Sequence, residues 1–342
     1  MPARATAPPG RVGRRTAGLV ATVAALVAVA VLGVALGARS IPLDTVLQAL
    51  VDPAAGNNDH LVVRELRLPR TVIGLAVGAA LGMAGTVIQG MTRNPIADPG
   101  LLGVNAGAAL AVVAAITWLG VASPAGYVWF AFAGAAVAAA AVYAIGAIGR
   151  DGATPVRLAL VGAAFTAAAT SLTTMMLLID IDTFDRYRFW VVGSLVGRDL
   201  GTLAVMAPFL VVGAVLALGA GRVLNAVSLG DDVARALGQR LGRARAAAAA
   251  SVVLLCGAAT ALAGPIVFVG LVVPHIARRI TGPDYRWILA HSALLGPILL
   301  VGADVVGRLI ARPGEIEAGL LVAFIGAPVM MALVRRSSLS GL

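Results

Sequence analysis

The histidines and the cysteine are the side chains of this sequence that most readily bind metals or act as nucleophiles. His60, His275 and His291 lie far apart along the chain and show none of the short spacings of a metal-ligand motif. Cys256 lies in an apolar run, without a charged neighbour that would activate its thiol. We therefore predict hydrogen-bonded or interfacial histidines, a buried cysteine and no bound metal.

Lysine is absent, and all 26 basic residues are arginines. A P-loop needs a lysine to bind the phosphates of its nucleotide, and Schiff-base catalysis needs a lysine amine. The apolar runs also lack paired carboxylates and a serine–base arrangement. We therefore predict that the chain is not an enzyme and that it binds no ATP or other cofactor itself.

Hydroxyl side chains recur at helical spacing in one apolar run, residues 158–179. A hydroxyl-bearing face beside Met175 and Met176 could line a path for a large, weakly held solute. Hydrogen bonding between helices is the alternative interpretation. The hydroxyl residues are Thr166, Thr170, Thr173 and Thr174.

The elements that position these residues are long and apolar. The 342-residue chain is 60% hydrophobic with a mean hydropathy of +0.95, which is outside the range of soluble domains. We predict an all-α polytopic membrane protein with about ten transmembrane helices, none of which contains Asp or Glu as drawn. The first run could instead be a signal peptide, but it is long enough to be a retained span. The runs are residues 17–37, 71–92, 100–120, 127–149, 158–179, 200–221, 246–263, 265–277, 287–303 and 318–334.

The arginines predict the orientation of these spans. With the N-terminus inside, 17 of the 26 arginines fall in inner segments and 9 in outer ones, as expected when basic loops stay in the cytoplasm. Both termini are therefore predicted to be cytoplasmic. Gly74, Gly78 and Gly82 lie four residues apart in the second run, a spacing that predicts close packing between helices.

A basic inner loop contains the sequence SLGDDVARALGQRLG, residues 228–242. It predicts a short amphipathic helix that presents Val233, Ala236 and Leu237 and ends at Gly238, and that docks into a groove of a soluble partner. An ordinary solvated interfacial helix is the alternative. At the outer ends of spans, Arg67, Arg70 and Arg308 are predicted to be exposed. They would bind carboxylates or, alternatively, extend to lipid headgroups.

Several long motifs resemble the FecCD permease family, the membrane subunits of type II ABC importers for ferric siderophores, haem and cobalamin. The resemblance implies the permease fold of type II ABC importers and extends over most of the chain. The motifs are RLPR at 67–70, GAALGMAGTVIQ at 78–89, NPIADPGLLGVNAG at 94–107, GPIVFVGLVVPHIARRITGPDYR at 264–286, ADVVGR at 303–308 and IGAP at 325–328.

The resemblance also implies roles for individual residues. Coupling to the ATPase is implied for Asp232, Ala234, Leu237 and Gly238. Docking of the binding protein is implied for Arg67, Arg70, Arg308 and Glu315. A gate role is implied for Asn94, Ile96, Thr154 and Pro155. The pathway role of Thr166, Thr170 and Thr173 rests on their helical spacing alone.

By the same resemblance, the chain is expected to be the permease subunit of an ATP-driven importer in the cytoplasmic membrane of a bacterium. A ferric siderophore is the first expected substrate, and haem or cobalamin remains open. The expected partners are two ATPase subunits carrying Mg-ATP, a second identical or related permease chain, an extracytoplasmic binding protein and membrane lipid, but no nucleic acid. An ATP-independent secondary transporter is the rival, disfavoured because the spans lack carboxylates. Residues 1–16 are expected to form a basic tail, residues 17–336 one transmembrane permease domain with coupling helices near 226–242, and residues 337–342 a C-terminal tail.

Overall fold

The computed structural model describes residues 9–54, 56–121, 123–148 and 154–339, and the regular structure in these ranges is helical. A π-helical turn, Val62–Arg67, leads into α4, and a 3-10 helix, Pro99–Leu102, precedes α5. The α-helices are α1 (Pro9–Ala35), α2 (Leu43–Val51), α3 (Asn58–Leu61), α4 (Leu68–Thr92), α5 (Val104–Leu119), α6 (Pro124–Gly146), α7 (Pro155–Ile179), α8 (Ile181–Val191), α9 (Leu200–Gly219), α10 (Gly221–Ser228), α11 (Asp231–Ala236), α12 (Leu241–Ala263), α13 (Val269–Thr281), α14 (Tyr285–Ile310) and α15 (Ala318–Leu339).

Each of the ten predicted apolar runs coincides with a helix, but the helices differ in length. Within the described ranges, seven helical segments are long and apolar enough to cross a membrane. Val104–Leu119 and Ala318–Ala332 are shorter apolar helices. The remaining run is α13, whose 13 residues fall short of a full span at about 1.5 Å per residue. The seven segments are Thr16–Ala35, Asn58–Thr92, Gly126–Gly146, Val156–Ile179, Leu200–Gly219, Leu241–Ala263 and Tyr285–Ile310.

The central helix is α4, which is largely buried against α12, α13 and α14. Its glycines allow this packing. A Cβ on Gly78 would lie 2.6 Å from the Cα of Pro297 in α14, and a Cβ on Gly82 would collide with the carbonyl oxygen of Ser292. The predicted packing role of the glycine ridge is therefore confirmed, since any side chain here would push α14 away.

Loops and short helices gather at two opposite ends of the bundle. One end, called here the Arg70 end, contains α2, α3, the loop 193–199 and the segment 311–317. The other, called the α11 end, contains the loop 93–98 together with α10 and α11. This separation matches the alternation of inner and outer segments that the sequence predicts.

The predicted tails lie partly within helices. Residues 9–16 belong to α1 and residues 337–339 to α15, so these parts are helical where tails were expected. Residues 1–8 and 340–342, which complete the two predicted tails, lie outside the described residues.

Candidate functional site

A buried ion network lies at the Arg70 end, between α4 and α14. Asp304 is only 1% exposed. It accepts hydrogen bonds from Arg70 Nε at 2.9 Å and Nη2 at 2.7 Å, and it forms an ion pair with Arg308 Nη2 at 2.8 Å. Arg70 Nη1 also reaches Glu315 Oε2 at 2.5 Å. One guanidinium therefore joins a buried carboxylate to one nearer the surface.

The expectation that the outer arginines are exposed is wrong. Arg67, Arg70 and Arg308 are all buried. Arg308 Nη1 donates to the carbonyls of Gly33 and Leu36, and Arg67 Nη1 donates to the carbonyl of Ala35 at 2.7 Å. The last carbonyls of a helix lack partners within the helix. The two arginines therefore satisfy the C-terminal end of α1, and this contact keeps them inside.

The expectation that the spans contain no carboxylate is also wrong. Asp304 lies inside α14, which continues to Ile310. The predicted span ends before Asp304 because an unpaired carboxylate in the bilayer is costly. A carboxylate that has a cationic partner can lie within a span. Arg70 and Arg308 supply that partner.

A cavity of about 470 Å³ opens at the same end of the chain. The predicted docking residues Arg67, Arg70, Arg308 and Glu315 contribute to its wall, and of these only Glu315 is exposed. Five arginines and three acidic residues line the cavity, and the buried Asp304 behind the wall offsets part of the remaining positive charge. The other charged lining residues are Arg39, Glu65, Arg198 and Asp199.

At the α11 end, the residues predicted to couple to an ATPase divide into two groups. Leu237 is 60% and Val233 45% exposed, and the side chain of Asp232 projects outward in an ion pair with Arg235 at 2.7 Å. Ala234 is fully buried in a small apolar cluster. Ala234 therefore holds α11 in place, while Val233 and Leu237 form an apolar surface available for contact. The other members of the cluster are Ala226, Val227 and Leu241.

Gly238 ends this surface in a left-handed conformation, with φ of 79°, and an added Cβ would meet open space. Glycine adopts such a conformation without the steric cost of a side chain. The predicted stop at Gly238 is therefore present in the structure, and the chain that follows Gly238 turns away from α11.

The predicted gate residues lie in two loops. Asn94 and Ile96 belong to the segment 93–98, called here the gate loop, in which the Asn94 side chain accepts the backbone N–H of Ile96 at 3.0 Å. Ile96 is 49% exposed at its tip. Thr154 is the N-cap of α7 and accepts the N–H of Arg157 at 3.4 Å, and Pro155 is the first residue of that helix. Both polar residues thus also have a local structural role.

The predicted hydroxyl face of α7 is divided. Thr170 and Thr174 are exposed and Thr166 is half-buried, whereas Thr173 is buried and donates to the carbonyl of Ala169 at 2.8 Å. The structure therefore leaves Thr166, Thr170 and Thr174 as residues that could face a pathway, while Thr173 is used within its own helix.

The 3-10 helix that follows the gate loop packs against α7. A Cβ on Gly162 of α7 would collide there with the carbonyl oxygen of Leu101. The gate loop is therefore joined in the chain to an element that packs closely on the helix of the predicted pathway residues.

Two polar groups of the site were missed by the sequence reasoning. Asp304 could have been found, because it precedes Arg308 by four residues and such pairs meet on a helix. Asp231 carried no local signal, since its partners Arg93 and Arg245 come from distant elements. In the ranges that the structure describes, no group of three or more His, Cys, Asp and Glu residues could hold a metal ion.

Known proteins resemble this chain over most of its length. The model of the FecCD transport family matches residues 25–336. The ferric enterobactin transport system permease protein FepD of Escherichia coli (strain K12) is 45% identical over 317 residues, covering 92% of this chain and 94% of FepD. The iron(3+)-hydroxamate import system permease protein FhuB of Bacillus subtilis (strain 168) is 41% identical over 307 residues, covering 90% of this chain and 80% of FhuB.

The fold is shared with a solved structure described as an inward-facing metal-chelate type ABC transporter. The two match with a TM-score of 0.81 at 26% sequence identity, covering 94% of this chain and 99% of the other. The predicted all-α polytopic fold and the resemblance drawn from the motifs are therefore confirmed. With a family model that spans most of its length and relatives that align over nine-tenths of it, the chain belongs to the FecCD transport family.

Proposed function

We propose that this chain is the permease subunit of an ATP-binding-cassette importer that carries a ferric siderophore across the cytoplasmic membrane. Membership of the FecCD transport family and the names of FepD and FhuB support the type of substrate. The observation that carries the proposal is the exposed apolar surface of Val233 and Leu237 on a short helix at one end of the bundle, a surface of the kind that docks into a groove of a soluble partner.

The energy for transport comes from partner chains. Because the chain has no lysine, it cannot form a P-loop, and Mg-ATP is bound by two ATPase subunits that dock on α11. Asp232, Leu237 and Gly238 make the contact, and Ala234 supports it from behind. A second permease chain completes the pathway, and the permease itself needs no cofactor.

The Arg70 end faces outward and receives the extracytoplasmic binding protein. Arg70 binds both Asp304 and Glu315, and the Glu315 contact is the one open to exchange because its side chain lies nearer the surface. An acidic side chain of the binding protein would take the place of Glu315 on Arg70. Arg67 and Arg308 keep the end of α1 beside this position.

Transport follows as a rigid-body alternation between two states. ATP binding draws the docked α11 surfaces of the two permease chains together, and the gate loop and α7 move with them. Asn94 and Ile96 close the inner side, with Thr154 and Pro155 at the start of α7. Thr166 and Thr170 offer hydroxyl groups to a large chelate, which they contact too weakly to retain.

Uptake assays with the Gly238→Arg variant test this proposal. The gene is deleted in its host and restored as wild type, as Gly238→Arg or as Gly120→Arg. Uptake of radiolabelled ferric enterobactin, haem and cobalamin is then measured. Gly120 is the matched control, since it also has a positive φ, 63°, and open space at its Cβ, but it lies at the end of α5, beside α8.

We expect loss of ferric siderophore uptake on deletion, rescue by the wild type and by Gly120→Arg, and no rescue by Gly238→Arg although the protein reaches the membrane. An arginine at position 238 would obstruct the docked ATPase, whereas an arginine in a left-handed conformation at position 120 would not. Normal uptake by Gly238→Arg would refute the coupling surface. Loss of haem or cobalamin uptake alone would keep the importer and change its substrate.

A further inference from the structure

We propose that Asp231 is a positioning residue that ties the ATPase-docking surface on α11 to the gate loop, so that movement of α11 reaches α4 and α12. The inference rests on the proposed function, because it describes how a docked ATPase would act on the pathway. It concerns Asp231 and Arg245, whose side chains are mostly covered, and Arg93, whose side chain is 42% exposed. The docking contact itself is made by other residues, which face outward.

The carboxylate of Asp231 bridges three elements. It lies in the first turn of α11, and its Oδ2 accepts a hydrogen bond from Arg245 Nη2 at 2.7 Å, near the start of α12. Its Oδ1 lies 3.4 Å from Arg93 Nη2, at the end of α4. The side chains of Asp231 and Arg245 are mostly shielded from solvent, so this pair attracts more strongly than a surface pair would. The Arg93 side chain is 42% exposed, so its attraction to Asp231 is the weaker of the two.

Arg93 lies at the junction between α4 and the gate loop. It ends α4 in a left-handed conformation, with φ of 52°, and is the first residue of the gate loop. A residue other than glycine adopts this conformation at an energetic cost, which is often found where the chain must change direction. A pull on Arg93 therefore acts on the turn that carries Asn94 and Ile96.

Helices α10 and α11 are joined by side-chain packing, and α10 is joined to the start of α14 by hydrogen bonds. Ala234 of α11 is packed against Ala226 and Val227 of α10. Asn225, also in α10, accepts the N–H of Tyr285 at 2.8 Å and donates to Asp284 at 2.8 Å. Helices α10 and α11 thus move as one body, fixed to the start of α14 on one side and, through Asp231, to the gate loop on the other.

A local explanation for Asp231 makes a different prediction. A negative charge in the first turn of a helix stabilises that helix, whatever its partners are. If this were its role, removal of Arg93 would leave α11 and its docking surface unchanged. If the ion pairs form the link, removal of Arg93 has the same effect as removal of the Asp231 charge.

The test uses the complete complex, with ATPase, second permease chain and binding protein, reconstituted in liposomes with radiolabelled ferric enterobactin as the probe. Chelate transported per ATP hydrolysed and ATPase retained in the complex are both measured. The variants are Asp231→Asn, Asp231→Glu and Arg93→Gln. Asp185→Asn is the control, because Asp185 forms an exposed ion pair with Arg188 in α8.

We expect Asp231→Asn and Arg93→Gln to keep the ATPase bound and to lower the transport per ATP by about fivefold or more, the lower end of coupling between distant sites. Asp231→Glu and Asp185→Asn should stay close to wild type. A wild-type ratio in Asp231→Asn, a defect confined to Asp231→Asn with Arg93→Gln normal, or release of the ATPase would each overturn the link. If the wild type itself shows no ATP-driven uptake, it is the proposed function that fails for this chelate.

Discussion

Asp304 is the residue on which the Arg70 end depends. It is buried inside α14 and pairs with two arginines, and those arginines in turn hold the end of α1 and the side chain of Glu315. A paired charge within a bundle contributes little net stability compared with an apolar pair, but removal of one partner leaves the others without compensation. Single residues here therefore differ greatly in their effect, although all carry one unit of charge.

Replacement of Asp304 by Asn should destabilise the protein strongly. Loss of the carboxylate leaves Arg70 and Arg308 buried with one acidic partner, Glu315, that reaches only Arg70, and the cost is about 3 kcal/mol or more. Thermal unfolding of the purified protein in detergent measures the effect. Glu315→Gln is the matched control, because its side chain is 29% exposed and its loss should cost less than about 1 kcal/mol. Equal unfolding temperatures for Asp304→Asn and the wild type would contradict the prediction.

Among the elements, α4 and α14 form the contact around which the other helices pack. Their approach depends on glycines that face backbone atoms of the partner helix, such as Gly78 against Pro297. In a bilayer, where apolar side chains gain little by leaving lipid, such close contact is what makes association of the two helices favourable. The same contact places Arg70 beside Asp304, so the packing of the elements and the ion network support each other.

Addition of one methyl group to this contact should be costly. Gly78→Ala would place its Cβ 2.6 Å from backbone atoms of Pro297, and overpacking of this kind costs about 1–3 kcal/mol. Gly302→Ala in α14 is the control, since no atom lies within 4 Å of the position of its Cβ. We expect a lower unfolding temperature and less monodisperse protein for Gly78→Ala only. A similar loss in both variants would mean that helix flexibility, and not packing, is the cause.

For the whole molecule, the sequence predicted the helical runs and the two ends of the bundle but not the burial of its charges. Hydropathy is local, so each apolar run coincides with a helix. The partners Arg70 and Asp304 are 234 positions apart, and no local pattern connects them. Likewise Ala234 reads as part of an exposed helix, and only the neighbouring α10 shows that it is buried. A local sequence pattern does not show which distant segments contact each other, so it does not predict which charges are buried.

The orientation of the whole molecule in the membrane is predicted from its arginines, and two matched positions can test it. Arg188 and Arg235 each form an i,i+3 ion pair with an aspartate and have side chains that are 52% and 61% exposed, the first in α8 near the Arg70 end and the second in α11. Cys256 is buried and should not react with a maleimide that cannot cross membranes. It therefore provides a silent background for cysteine substitutions.

The labelling uses intact cells from which the outer membrane or cell wall has been removed and which lack the ATPase subunits that would cover α11. In these cells Arg188→Cys should react with such a maleimide at once. Arg235→Cys should react only after the membrane is opened, because basic loops stay in the cytoplasm. The unsubstituted chain should remain unlabelled in both conditions. The reverse labelling order would place α11 outside, where no ATP is available, and the ATPase-docking role of Val233 and Leu237 would then be untenable along with the orientation.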